Sequence, residues 1–203
     1  MATATLVIGS GMAAALISLL LLTLLSSTFR IWPTPGPGTW QSYVFWPLFR
    51  GLNVLCFIMA ALDTPGFIGL PAWVRAIALA GLIASTALFL YAFFVLGRDN
   101  SYGARDGLVT GGIYRWSRNP QNAMLIVVYG CLAVATDGGA TYLLCVAMMA
   151  VYILMVACEE PWLETVYGAS YRRYCLRVPR FFNWGRALIM MQAVAKRRGS
   201  KAG

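Results

Sequence analysis

The chain contains no histidine, two lysines and only seven acidic residues among 203. Without histidine there is no imidazole to titrate near neutral pH, and the commonest ligand of a catalytic zinc is missing. Five cysteines are present (Cys56, Cys131, Cys145, Cys158, Cys175). None forms a C-x-x-C pair and most lie in apolar runs, so they read as small buried hydrophobes rather than a disulfide framework, and no metal is expected. Charged residues make up 11% and hydrophobic residues 60% of the chain, with a mean hydropathy of +0.69, which excludes an ordinary soluble domain. The net charge of +9 does not imply nucleic acid in so apolar a chain. Basic residues at a cytoplasmic rim orient spans and meet anionic lipid. Solenoid repeats and low-complexity segments are also absent.

What is present is a series of long uncharged runs of membrane-spanning length. The expected fold is all-α, a polytopic membrane bundle of about five transmembrane helices with a cytoplasmic amphipathic C-terminal helix. The first span is expected over Leu6–Leu25, as a retained helix rather than a signal peptide, since no positive region precedes it and no small-residue cleavage site follows. Trp32-Pro33-Thr34-Pro35-Gly36-Pro37-Gly38 is a stiff turn that cannot be helical. Its tryptophan, with Trp40 and Trp46, suits a membrane interface. A short second span is expected over Pro47–Leu62, in which Arg50 either snorkels to the surface or faces a substrate cavity. The third span is expected over Trp73–Leu96, the fourth over Pro120–Thr136 and the fifth over Thr141–Cys158, with Asp137-Gly138-Gly139 as a tight turn between the last two. With the N-terminus outside, the cytoplasmic segments hold Arg30, then Arg98, Arg105, Arg115 and Arg118, then a basic tail. The outer turns hold Asp63 and Asp137, with Arg75 as the nearest cation. That pattern puts the C-terminus in the cytoplasm. Abundant Ala, Gly and Arg points to a GC-rich bacterial genome and so to an inner membrane. The last four residues carry no prenylation box. The organisation expected is helices 1–3 over residues 1–96, a core over 97–182, and a basic tail over 183–203.

One stretch departs from the apolar pattern: GLVTGGIYRWSRNPQN, Gly107–Asn122. Asn119 followed by Pro120 is a helix start, since Asn caps free amides and Pro fits the first helical position. Such a start offers N–H groups and the positive dipole end to a carboxylate or phosphate. Arg115 and Arg118 add charge beside it. A basic loop that merely anchors a helix at the lipid surface would look the same.

Three of the seven acids are Glu159, Glu160 and Glu164, clustered where the fifth span meets water. Carboxylates are disfavoured at a helix C-terminus and at a bilayer rim unless they are paired. Pro161 argues for a bend or a fresh helix start there. The acids either form salt bridges to the loop arginines or wall a pocket for a cationic ligand. Tyr171, Arg173, Tyr174 and Arg177 follow on an amphipathic interfacial segment able to fold over the cytoplasmic opening. Simple lipid adhesion is the better account of Arg186, Lys196, Arg197, Arg198 and Lys201. A carboxylate wall and an anion-receiving helix start on one membrane face fit a zwitterion. S-Adenosylmethionine, with its ammonium, carboxylate and sulfonium, is one of many that would do.

The pattern Leu-Val-Thr-x-Gly-x-Tyr-x-x-x-Arg-x-Pro, an acidic Glu-Glu, and Tyr-Gly-x-x-Tyr-x-x-Tyr-x-x-x-Val-Pro-Arg runs in order over Gly107–Phe181. It resembles the integral-membrane methyltransferases, which include isoprenylcysteine carboxyl methyltransferases and phospholipid N-methyltransferases. The resemblance implies S-adenosylmethionine as cofactor and a pocket built from Leu108, Val109, Gly112, Tyr114, Arg118, Asn119, Pro120, Asn122, Glu159, Glu160 and Tyr171. It implies methyl transfer to a lipophilic acceptor in lipid metabolism: a phospholipid amine, an isoprenoid, or a small hydrophobic thiol or carboxylate. Glu159 is expected to contact the cofactor ammonium or the acceptor, and Arg173 to hold an anionic acceptor head group. Two residues depart from the family's pattern. Asn119 stands where His is usual, and Asn122 where Tyr is usual, so a proton role at 119 is lost. A membrane NADPH-dependent reductase and a non-catalytic relative are the alternatives.

Overall fold

The computed structural model describes residues 1–96 and 107–182, and the chain over them is helical. The helices are α1 (Ala2–Leu25), α2 (Trp40–Leu62), α3 (Ala72–Leu96), α4 (Pro120–Thr136), α5 (Gly139–Tyr167) and α6 (Ala169–Arg177), with a 3-10 turn at Gly112–Arg115 before α4. The protein is a polytopic helical bundle. Helices α1, α2, α3 and α5 are each long and apolar enough to cross a membrane, and α4 is a shorter apolar helix of 17 residues. Arg98, Arg105 and the basic tail over 183–203, with Arg186, Lys196, Arg197, Arg198 and Lys201, lie outside the described residues.

The core lies where α1, α2, α4 and α5 meet, around Leu16, Leu20, Phe45, Leu52, Tyr129, Leu144 and Met148. Helix α3 stands apart from it and packs along α4. Small residues set that approach: a Cβ on Gly81 of α3 would come within 3.0 Å of Cys131 Sγ on α4. Between lipid-bathed helices, close packing of this kind replaces hydrophobic burial as the driving force.

Two boundaries and the setting of Trp32 differ from expectation. Helix α2 begins at Trp40, seven residues before Pro47, and is capped by Thr39, whose hydroxyl accepts from the Ser42 N–H at 3.4 Å. Pro47 therefore sits inside the helix. It forfeits one bond, to the Tyr43 carbonyl, which membrane helices tolerate. Pro161 likewise sits inside α5, which runs unbroken through Glu159-Glu160 to Tyr167. At 29 residues, and roughly 1.5 Å each, α5 overshoots a bilayer core of about 30 Å, so the acidic pair rides on a rigid rod at the rim. Trp32 faces the protein interior rather than lipid. It is buried, stacked on Phe45 with centroids 4.8 Å apart and set edge-on to Trp46.

The far end of the bundle is tied by two aspartates. Asp137 closes α4 in the left-handed conformation (φ 54°) and is 1% exposed, not a solvated turn residue. Its carboxylate accepts from the N–H groups of Ile68, Gly69 and Leu70 at 2.9–3.1 Å, and its carbonyl from Gly66 and Phe67. Arg75 donates to the Ala135 carbonyl at 2.9 Å, covering the C-terminal end of α4. Asp63 accepts from the N–H and hydroxyl of Thr141 at 2.8 and 2.9 Å, which starts α5. Gly138 lies directly against Asp63, where any Cβ would overlap the carboxylate.

Gly138→Ala is therefore expected to destabilise the protein by about 1–3 kcal/mol, the usual scale of overpacking, read as a lower melting temperature in detergent. Burial alone would raise the Asp137 carboxyl. The Leu70, Ile68 and Gly69 N–H groups, with Arg75 nearby, outweigh it and hold that carboxyl below the ordinary range. Its contribution is thus complete above the unfolded value of roughly 3.9 and is lost as pH falls through the lower folded value. Melting temperatures are expected to drop with acidification below about pH 4, and Asp137→Asn to flatten that slope.

Candidate functional site

A cavity of about 460 Å³ opens between the bundle core and α3, at the end where the polar loop meets the acidic pair. Its volume is in the range that takes a drug-sized ligand. The loop contributes Leu108, Val109, Tyr114 and Arg118, the start of α4 contributes Asn119, Gln121 and Asn122, and α5 contributes Glu159 and Trp162. Tyr171 and Tyr174 cover it from α6. Deeper in the bundle the wall is aromatic, with Trp46, Phe49, Tyr129 and Tyr152 around Asn53. Asn53 Oδ1 accepts from both Tyr129 and Tyr152, and its amide donates to the Phe49 carbonyl at 2.6 Å.

The loop is held in place by the segment after α6. Gly168 reverses the chain at the end of α5 with φ 52° and ψ −125°, a region open to glycine, and so folds α6 back over the loop. Tyr174 donates its hydroxyl to the Tyr114 carbonyl at 2.6 Å. The Arg118 N–H donates to Pro179 O at 2.9 Å, and Ser117 and Asn119 side chains both donate to Arg180 O. Asn119 thus does not cap α4 with its side chain, as its position before Pro120 predicts. Its carbonyl begins the helix by accepting from Ala123, while its amide is spent on the 178–180 segment.

The two neighbouring acids part company. Glu160 Oε1 is 2.9 Å from Arg118 Nη2, and Glu160 Oε2 accepts from Arg180 Nε at 2.9 Å and from its Nη2. This carboxylate keeps the Arg180 guanidinium protonated above its ordinary range. Glu159 forms no ion pair among the described residues and lines the cavity, with the Trp32 indole N–H turned toward it. The salt bridge expected between the acids and the loop arginines is therefore Glu160's, and the pocket wall is Glu159's.

Several buried polar atoms of the site lack a protein partner. The Tyr171 hydroxyl and Arg118 Nε have none, although both residues line the cavity. Tyr171 is 3% exposed. Burial, then the nearby Glu160 carboxylate, push its phenol well above the usual range, so the hydroxyl stays protonated. Glu160 Oε1 also lacks a hydrogen bond of good angle, which makes its contact with Arg118 purely an ion pair.

Of the residues singled out from the sequence, Leu108, Val109, Tyr114, Arg118, Asn119, Asn122, Glu159 and Tyr171 share this one cavity. Pro120 and Glu160 stand behind the wall. Gly112 is exposed on the 3-10 turn, and Arg173 is exposed on α6. Sequence reasoning passed over Gln121, which donates to the Tyr114 hydroxyl at 3.2 Å, and the Asn53–Tyr129–Tyr152 cluster. Only Asn53, a polar residue inside an apolar run, carried a local signal. The tyrosines look like core.

No curated protein and no solved structure matches the chain. A family model described as phospholipid methyltransferase matches residues 72–170. The match begins earlier than the motif resemblance and stops before Tyr171, Tyr174 and Val178-Pro179-Arg180. It takes in α3, the loop, α4 and α5, which between them supply the loop wall and Glu159. Through that segment the chain is similar to the phospholipid methyltransferases, consistent with an integral-membrane methyltransferase-like family.

Proposed function

We propose that the chain transfers a methyl group from S-adenosylmethionine to a lipophilic acceptor at the cytoplasmic face of the membrane. The observation that carries this is the convergence, in one cavity, of the unpaired Glu159 carboxylate, the α4 start at Asn119, and the buried, unsatisfied Tyr171 hydroxyl. Buried polar atoms without partners cost free energy in the empty protein, so their survival here favours a polar ligand.

The donor set fits that cofactor. Leu108, Val109 and Tyr114 form an apolar and aromatic wall suited to an adenosine, with Asn122 at the start of α4. Arg118 and Tyr171 offer donors to its carboxylate and hydroxyls. Bound there, S-adenosylmethionine supplies an activated methyl group on a positively charged sulfur. The chain's own share is positioning and electrostatics. Glu159 sets a negative charge against an ammonium or against the acceptor amine that sheds a proton. Glu160 locks Arg118 and Arg180 in place, and the aromatic wall keeps water out. The acceptor arrives from the bilayer side, where α3 leaves the core. Arg173 is exposed on α6 outside the cavity, and its expected contact with an anionic head group is taken to be at the membrane surface.

Labelled S-adenosylmethionine is expected to bind purified protein and NADPH is not; the reverse would favour the reductase. A panel of phospholipid, thiol and carboxylate acceptors with labelled donor identifies the substrate. Glu159→Gln is expected to cut methyl transfer by about a hundredfold or more while leaving the melting temperature near that of the parent. Glu160→Gln is expected to destabilise by about 3 kcal/mol, since two guanidiniums then face each other without their anion. Equal effects of the two variants on stability would refute this division of labour. Tyr171→Phe gives the sharpest contrast. Removing an unsatisfied buried hydroxyl is expected to leave the ligand-free protein as stable or more so, yet to weaken cofactor binding by about tenfold.

A further inference from the structure

Arg50 is the eleventh residue of the 23-residue α2, counted from Trp40, in the middle of a helix apolar enough to span the membrane. An arginine at that depth costs about 2.5–3.5 kcal/mol on insertion scales. It forms no ion pair among the described residues, although the Glu159 carboxylate lines the same cavity. The ion pairs there use Arg118, Arg172 and Arg180, and Asp63 and Asp137 are committed to Thr141 and to the 68–70 backbone. One face of the Arg50 guanidinium lies over the Trp46 ring, 5.1 Å from its centroid. Such a contact occupies the flat face and leaves the N–H fork along the edge open.

Simple snorkelling would carry the group to the surface and away from the interior. Arg50 instead lines the cavity, beside Asn53 and Phe57 on α2 and opposite Phe89 and Phe93 on α3. Helix α3 packs on α4 and makes no comparable contact with α2 among the described residues. The cavity therefore has an apolar seam between α2 and α3, edged by phenylalanines, with Arg50 beside it and Arg118 tied to Glu160 at the other wall.

We infer that Arg50 is a specificity-determining residue that grips the phosphate of a phospholipid whose chains lie in the α2–α3 seam. A guanidinium fork with a free edge matches a phosphodiester in charge and geometry. Phenyl edges match acyl chains, and a neutral lipid would bring no anion to the guanidinium. Arg50 precedes the matched segment 72–170, so this recognition belongs to the N-terminal half of the chain. That this lipid is the methyl acceptor rests on the function proposed above; the binding itself does not.

The test is native mass spectrometry of the full-length protein in detergent, counting retained lipid. The ligands are dioleoyl phosphatidylethanolamine and dioleoylglycerol, which share chains and differ by the phosphate head group. The parent is expected to retain the phospholipid about tenfold better, the scale of a charge-assisted hydrogen bond. Arg50→Gln is expected to abolish that preference and Arg50→Lys to restore part of it, with melting temperatures measured on each. A parent without preference, or an Arg50→Gln variant that keeps it, overturns the inference. Displacement of the phospholipid by inorganic phosphate alone also overturns it, because Arg50 would then read a soluble anion. S-Adenosylmethionine binding is measured on the same samples. Its absence from the parent would end the methyltransferase reading without touching the lipid preference, and loss of preference with cofactor bound would end only this one.

Discussion

One carboxylate between two guanidiniums holds the site together. Glu160 takes Arg118 from the loop before α4 and Arg180 from the segment after α6, and so fastens both to the rim of α5. Neither partner segment has a core of its own at this end, apart from the small cluster of Tyr171, Tyr174 and Val178. Their remaining ties are single hydrogen bonds, such as Tyr174 to the Tyr114 carbonyl and Arg118 to Pro179. The Glu160 and Arg118 side chains are 13% and 12% exposed, where an ion pair is screened far less than at an open surface. Removing one member of such a group leaves an uncompensated charge, which is why the geometry depends on it.

The same pairing sets its neighbour free. Adjacent residues of a helix point about 100° apart, so when Glu160 faces the loop and the tail segment, Glu159 faces the cavity. A helix that broke at Pro161 would have let both acids turn to the nearest cations. Helix α5 does not break, and its course through the rim separates the paired acid from the one that lines the cavity. Two glutamates side by side are thus not redundant.

The bundle was legible because its signals are compositional. Runs of apolar length, Pro-Gly turns and the Asn119-Pro120 start put α1, α3 and α4 within a few residues of their places. The two largest boundary errors came from proline. Pro47 and Pro161 read as boundaries because proline breaks helices in water, yet both lie inside helices here, where the surrounding bundle compensates the lost bond. The site was legible wherever its residues were polar in an apolar context, as with Arg118, Asn119 and Glu159. Its aromatic half was not, because Trp32, Tyr129 and Tyr152 come from separate elements and carry no local mark that distinguishes a cavity wall from a core.

Asn119 shows how a departure from a family pattern can be absorbed. Its amide donates to Arg180 O, next to the carbonyl bond from Ser117, so the position serves to close the loop against the tail segment. That task needs a donor of fixed direction and no change of charge. An amide supplies it across the whole pH range, whereas an imidazole there would put a third positive charge beside Arg118 and Arg180 whenever it was protonated, with only Glu160 to answer it. With an amide at 119, the electrostatics of the closure are constant. Glu159 is then the cavity carboxylate left without an ion-pair partner among the described residues.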